Sequence, residues 1–170
     1  NEFLSKYHVI AFPLMNPDGV DSGHWRHNMG GVDLNRDWSV YNQPEIKQTV
    51  SYINKTLKKN NSKLILGLDF HSTFHDVFYT NVERDRTTLP NFISEWFNGI
   101  EDNIPGYKVN EDSANSDKPV SKGWFLYGHN AVGITYEIGD ATSKDDIQKV
   151  GSVSAIQMMT ILTQTNKPIN

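Results

Sequence analysis

The segment Leu64-Ile-Leu-Gly-Leu-Asp-Phe70 is almost continuously apolar and runs straight into His71. A strand with one wet face alternates apolar and polar residues, whereas an unbroken apolar run of this kind needs cover on both faces. Helices are the natural cover, and the rest of the chain supplies them. Pro44 stands where a first helical turn tolerates it, and Ile46, Val50, Ile53 and Leu57 follow at helical spacing until Lys58-Lys-Asn-Asn61 ends the run. Phe92, Ile93, Trp96, Phe97 and Ile100 repeat that period, and Asp145 to Thr165 reads as a closing helix. Tyr7 to Met15 predicts a buried strand stopped by the turn Asn16-Pro-Asp-Gly19, while Val77 to Thr80 and Gly133 to Gly139 predict two more strands. Asn110 to Lys122, rich in Asn, Asp, Ser, Lys and Pro, reads as a surface loop. Gly19 to Ser39 is too long for a mere connector, which points to function. Strands alternating with helices give an α/β layer fold.

Composition narrows the chemistry. The 170 residues, 37% hydrophobic and 21% charged, suit one compact domain. A formal charge of -4 offers no broad attraction for nucleic acid, so peptides or small molecules are the expected partners. There is no cysteine, so disulfides, thiolate zinc ligands and a thiol nucleophile are excluded, and any metal must be held by histidine and carboxylate. No apolar run approaches the roughly 18 to 20 residues needed to span a bilayer, and membrane insertion is not expected.

In an α/β sheet the ligand crevice lies beyond the carboxyl ends of the strands. Three apolar runs stop there on functional residue types: Asn16-Pro-Asp-Gly19, His71-Ser72 and Glu137-Ile-Gly-Asp140. His71 can offer an imidazole nitrogen to a metal, although a single histidine is more often structural. Glu137 sits inside a strand, where a carboxylate loses hydration; it reads either as a general base or as the partner of a buried arginine. Arg26 and Arg36 lie in the Gly-rich loop, and guanidinium groups recognise carboxylates through paired hydrogen bonds.

Taken in order, Asn16-Pro-Asp-Gly19, Trp25-Arg26, Gly31-Val-Asp-Leu-Asn-Arg-Asp-Trp38, Asp69-Phe-His-Ser72 and Thr135-Tyr-Glu-Ile-Gly-Asp140 closely resemble the zinc carboxypeptidase family. The resemblance covers nearly the whole chain. It implies a mixed, mainly parallel sheet with helices on both faces, and a zinc-dependent hydrolase that removes the last residue of a peptide or protein. It implies His71 as a zinc ligand, Glu137 as the catalytic base, Arg26 as the group that stabilises the oxyanion, and Asn35 with Arg36 as the grip on the terminal carboxylate. The family position that grades the terminal side chain falls at Lys122, and a lysine there favours an acidic residue. An extracytoplasmic location follows only from the habits of the family.

One motif is missing. The family takes its first two zinc ligands from a His-x-x-Glu sequence upstream of Asn-Pro-Asp-Gly, and none of His8, His24, His27, His71, His75 and His129 is followed by glutamate three residues later. The expectation is therefore that residues 1–170 are the C-terminal portion of a single catalytic domain, whose other two ligands lie in preceding sequence. The pairs His24/His27 and His71/His75 have ligand-like spacing, but their surroundings predict local polar contacts. Two other readings accompany the peptidase: an amidase acting on cell-wall peptides or glutamyl side chains, and an inactive module that binds a peptide carboxylate without cutting.

Overall fold

A computed structural model describes residues 2–114 and 118–165. The elements are α1 (Glu2–Lys6), α2 (Pro17–Asp21), a 3-10 turn (Leu34–Arg36), α3 (Pro44–Asn60), β1 (Leu66–Thr73), β2 (Val77–Thr80), a second 3-10 turn (Arg84–Arg86), α4 (Phe92–Asn103), β3 (Glu111–Ser113), α5 (Ser121–His129), β4 (Val132–Gly139) and α6 (Lys144–Gln164). The strands form one sheet in the order β1-β4-β2-β3. β1 runs parallel to β4 and β2 parallel to β3, while β2 and β4 are antiparallel, so the sheet is mixed and mostly parallel.

Local chemistry sets the helix limits. Both carboxylate oxygens of buried Asp37 are used at the entry to α3, accepting from the amides of Asn42 and Gln43 at 3.0 and 2.8 Å. Pro44 then opens the helix, and Asn61, in the left-handed region at φ 48°, closes it. Ser143 caps α6 through the amide of Asp146, with Asp145 and Asp146 adding negative charge to its first turn.

Alternation along β4 divides the molecule. Val132, Ile134 and Tyr136 point to a core shared with Phe78 of β2, Phe92, Ile93, Trp96, Phe97 and Ile100 of α4, and Val150 and Leu162 of α6. There Phe78 and Tyr136 stack with ring centroids 4.1 Å apart. On the opposite face a second core joins Leu34, Trp38, Ile46, Val50, Ile53, Trp124, Phe125 and Ala131. α5 reaches that face because two glycines let it. A Cβ on Gly67 would fall inside the Phe125 ring, and one on Gly133 would strike the carbonyl of Lys122.

The structure departs from the sequence reading in several places. Tyr7 to Met15 is not a strand: it is irregular, and Val9 and Leu14 are 61% and 55% exposed. A strand exists only by pairing, and this run meets no partner among the described residues. β1 is an edge strand, with Phe70 65% exposed, so its apolar run is covered over Leu66 to Leu68 and open further along. Asn110 to Lys122 is not one loop either, since Glu111–Ser113 pair with Phe78–Thr80 and α5 starts at Ser121; residues 115–117 lie outside the described residues. α5 itself escapes a periodicity reading because Ser121 to Leu126 are buried all round, which leaves no polar face to set against an apolar one. The turn expected at Asn16 to Gly19 is instead the start of α2, capped by Asn16, while the other expected elements are present, with β4 starting at Val132 and α6 at Lys144.

Gly133→Ala tests the close approach of α5. It is expected to lower the unfolding free energy by about 1–3 kcal/mol, because the added methyl meets main chain that cannot yield locally; a urea titration monitored through tryptophan fluorescence measures the loss.

Candidate functional site

The parallel register of β1 and β4 pairs Asp69 with Thr135 and His71 with Glu137. Alternation places Gly67, Asp69 and His71 on the same face as Gly133, Thr135 and Glu137, which is the face that carries α5. His71 thus lies inside β1 rather than just beyond it. Its Nε2 donates to Oδ2 of Asp69 at 2.9 Å, and Nδ1 makes no hydrogen bond among the described residues. That bond to Asp69 pushes the imidazole pKa up; burial opposes the shift, and the charges of Asp69, Glu137 and Asp33 add to it. Glu137 is half-buried, and among the described residues its carboxylate accepts no hydrogen bond and forms no ion pair. The arginine partner that a structural role would require is therefore absent among those residues.

The long loop after Met15 is folded by its own side chains. Asn16 accepts from the amide of Gly19 at 3.3 Å and donates to the carbonyl of His27 at 3.0 Å, and a Cβ on Gly19 would collide with that asparagine. This is what the Asn-Pro-Asp-Gly sequence builds. Asn28, also buried, accepts from the amides of Gly30 and Val32 at 3.0 and 3.1 Å. The loop then delivers Asp33, whose Oδ1 accepts from the amide of Asn35 at 2.9 Å, while Oδ2 lies 3.5 Å from Nη1 of Arg26 and 3.9 Å from Nη1 of Arg36. Arg26 also sits 5.0 Å from the centroid of the Trp25 ring, and Arg36 donates to the carbonyl of Asn35 at 2.8 Å. Asn35 is fixed in turn, its Oδ1 accepting from the amide of Ser121 at 3.0 Å. One carboxylate therefore serves two guanidinium groups, 49% and 42% exposed, and the excess positive charge faces solvent where an anionic ligand can reach it.

Lys122 is the sixth predicted residue, and its setting differs from the exposed loop foreseen for it. It lies in the first turn of α5, only 7% exposed, and its ammonium donates to the carbonyls of Thr80 and Ala114 at 2.8 and 2.7 Å. Desolvation pulls its pKa down, with Asp112 opposing. The structure thus brings His71 and Glu137 together on the sheet and Arg26, Asn35 and Arg36 together around Asp33. Lys122 stands apart, across the first turn of α5.

The donor set can be weighed against a zinc ion. His71 fits as a single ligand, since it is partly exposed and has one nitrogen uncommitted. Among the described residues no group of three or more histidines and carboxylates could hold an ion, so these residues do not form a complete site. His24 makes a local contact through Nδ1 to the carbonyl of Asn28 at 3.3 Å, and the backbone of His27 pairs with Asp33.

The sequence profile described as zinc carboxypeptidase matches residues 1–150. The chain belongs to the zinc carboxypeptidase family. It is similar to cytosolic carboxypeptidase 3 of Mus musculus, 33% identical over 69 residues that make up 39% of this chain and 7% of that protein. Its fold is similar to that of a metallo-carboxypeptidase from Burkholderia cenocepacia, with a TM-score of 0.60, 15% identity, and 88% of this chain covering 42% of that one. A metallo-carboxypeptidase from Pseudomonas aeruginosa in complex with (2-guanidinoethylmercapto)succinic acid gives a TM-score of 0.56 at 18% identity, with 86% and 43% covered. The chain therefore spans less than half the length of these relatives. The family is zinc-dependent and its members act on peptides. No helix among the described residues is long and apolar enough to cross a membrane.

Three residues that hold this site together carry no role in the sequence reading: Asp33, Asp69 and Ser121. Asp33 and Asp69 stand inside the quoted motifs, two residues before Asn35 and His71, so their spacing was visible although their bonding was not. Ser121 had no signal, because it reaches Asp69 only through the packing of α5 on the sheet.

Lys122→Met keeps the aliphatic stem and deletes the ammonium. Two carbonyls lose their donor, so the folded state is expected to lose about 1–3 kcal/mol, read as a lower midpoint in chemical unfolding.

Proposed function

We propose that the protein carrying this chain is a zinc-dependent metallocarboxypeptidase that hydrolyses the C-terminal peptide bond of peptides or proteins. The observation that carries this reading is Glu137: a half-buried carboxylate without a partner among the described residues, paired in register with His71, on the face of the sheet toward which the arginine loop is built. A carboxylate left without a donor is poised to accept a proton, whereas a module that only binds has no use for one. Glu137 takes the proton of the attacking water and passes it to the leaving amine. Arg26, steadied by Asp33 and Trp25, supplies positive charge where the carbonyl oxygen becomes negative. Asn35 and Arg36 hold the terminal carboxylate, and this grip sets the register, so that only the last peptide bond lies at the reacting position.

His71 would be one zinc ligand, and bound zinc supplies a Lewis acid that polarises the scissile carbonyl and acidifies water. Residues 1–170 form, in this reading, the C-terminal portion of a single catalytic domain, with the two remaining ligands in preceding sequence. The single imidazole and the unpaired outer edge of β1 among the described residues support it. Lys122 grades the terminal side chain. An ammonium has three donors, and the third, which no described residue takes, favours an acidic residue.

Glu137→Gln in the complete enzyme is expected to lower kcat by about 100-fold or more while zinc content, measured by mass spectrometry of the metal, stays stoichiometric. Retained turnover would assign the base elsewhere. Calorimetry of the 170-residue chain with zinc alone is expected to show only weak binding, since one imidazole cannot replace three ligands; tight stoichiometric uptake would contradict the division of the metal site. For Lys122, the complete enzyme is expected to cleave peptides ending in Glu faster than those ending in Leu or Lys, and equal rates would remove that role.

A further inference from the structure

Asp69 gathers two donors on one oxygen. Its Oδ2 accepts from Nε2 of His71 at 2.9 Å and from the hydroxyl of Ser121. Ser121 is 1% exposed, and its own amide is held by Oδ1 of Asn35 at 3.0 Å, so the hydroxyl starts from a fixed point on α5. Around this bridge the contact between α5 and the sheet is close and apolar, with the Phe125 ring lying on Gly67. A polar link placed there fixes Asp69 against rotation, and Asp69 fixes the ring of His71.

An ionised carboxylate only accepts hydrogen bonds, so the imidazole nitrogen that faces it carries the proton. With the proton on Nε2, the lone pair of the neutral ring belongs to Nδ1, the nitrogen that has no hydrogen bond among the described residues. We propose that Asp69 and Ser121 are a positioning pair for His71: Asp69 holds Nε2–H so that Nδ1 is presented to the metal, and Ser121 locks Asp69 to helix α5. This rests on His71 being a metal ligand. Neither member of the pair touches substrate or metal. Outer partners of this type orient a ligating histidine and raise its basicity.

The test has two readouts. In metal-free protein carrying 15N-labelled histidine, above the pH at which the ring titrates, His71 is expected to show an Nε2–H proton protected from exchange with water. In Asp69→Ala that signal is expected to vanish into exchange, while in Ser121→Ala it persists with weaker protection. A signal that is missing from the parent protein, or unchanged in Asp69→Ala, overturns the proposal. In the complete enzyme, titration with zinc against a chelator is expected to show affinity lowered about 10–100-fold in Asp69→Ala and by less in Ser121→Ala, with unfolding midpoints confirming that each variant is folded. Unchanged zinc affinity in Asp69→Ala, together with its loss in His71→Ala, overturns the positioning role and leaves the metal reading standing. Unchanged affinity in His71→Ala overturns the metal reading itself. Should alanine at 69 not fold, Asp69→Asn carries the test: it keeps one acceptor oxygen and is expected to retain the Nε2–H signal with a smaller loss of affinity.

Discussion

The parallel pairing of β1 with β4 is the constraint from which the rest follows. Strand alternation has a period of two, so this register alone decides that Asp69, His71, Thr135 and Glu137 share a face while Leu66, Leu68, Ile134 and Tyr136 share the other. A slip of β1 by one residue would turn the histidine toward the apolar core and carry Leu66 and Leu68 to the polar face. The register is protected by what lies on each side. Tyr136 stacks on Phe78 on the apolar face, and on the polar face Gly67 and Gly133 admit α5 to a distance that no other residue type permits. Packing on one face thus fixes chemistry on the other.

Electrostatics organises the polar face into two regions. Asp69 and Glu137 place negative charge around His71, whose pKa is raised first by its hydrogen bond to Asp69 and then by these charges. In the loop the balance is reversed, because Asp33 answers both Arg26 and Arg36 with a single charge. Ion pairs between half-exposed groups contribute little stability. Their value here is positional: Asp33 sets where the two guanidinium groups stand and leaves part of their charge for an incoming anion. A peptide terminus carries that anion at one end and its scissile carbonyl at the other, which matches a basic loop beside a carboxylate and an imidazole.

The legible parts of the sequence were those in which one residue type answers one local need. α3, α4 and α6 were legible from their spacing, because each buries one side and shows it, and β2 and β4 from their bounded apolar runs, which are covered on both faces. The strand expected at Tyr7 to Met15 shows the limit of such reasoning. Its apolar residues state a preference for burial, but burial needs a partner, and the partner is a property of the whole sheet. α5 was hidden for the opposite cause, since a helix enclosed on all sides loses the polar stripe that announces it. In the site, motif spacing pointed to His71, Glu137, Arg26, Asn35 and Arg36. The groups that steady them, Asp33, Asp69 and Ser121, act across the tertiary packing, where spacing is silent.

Lys122 shows how burial changes the meaning of a charge. On an exposed loop a lysine is a free cation, and its ammonium could turn to meet any acidic group. At 7% exposure, with carbonyls of Thr80 and Ala114 on two of its donors, it is part of the frame that ties β2 and the segment after β3 to α5. An acidic ligand bound there, as proposed, would have to leave both of these hydrogen bonds intact, since each buried carbonyl left bare costs about 1–3 kcal/mol. In the role proposed for Lys122, the two fixed carbonyls would restrict the direction from which a carboxylate approaches, so selection would be by direction as well as by sign. Burial, which pulls the lysine pKa down by desolvation, also strengthens the attraction between its ammonium and any anion placed beside it.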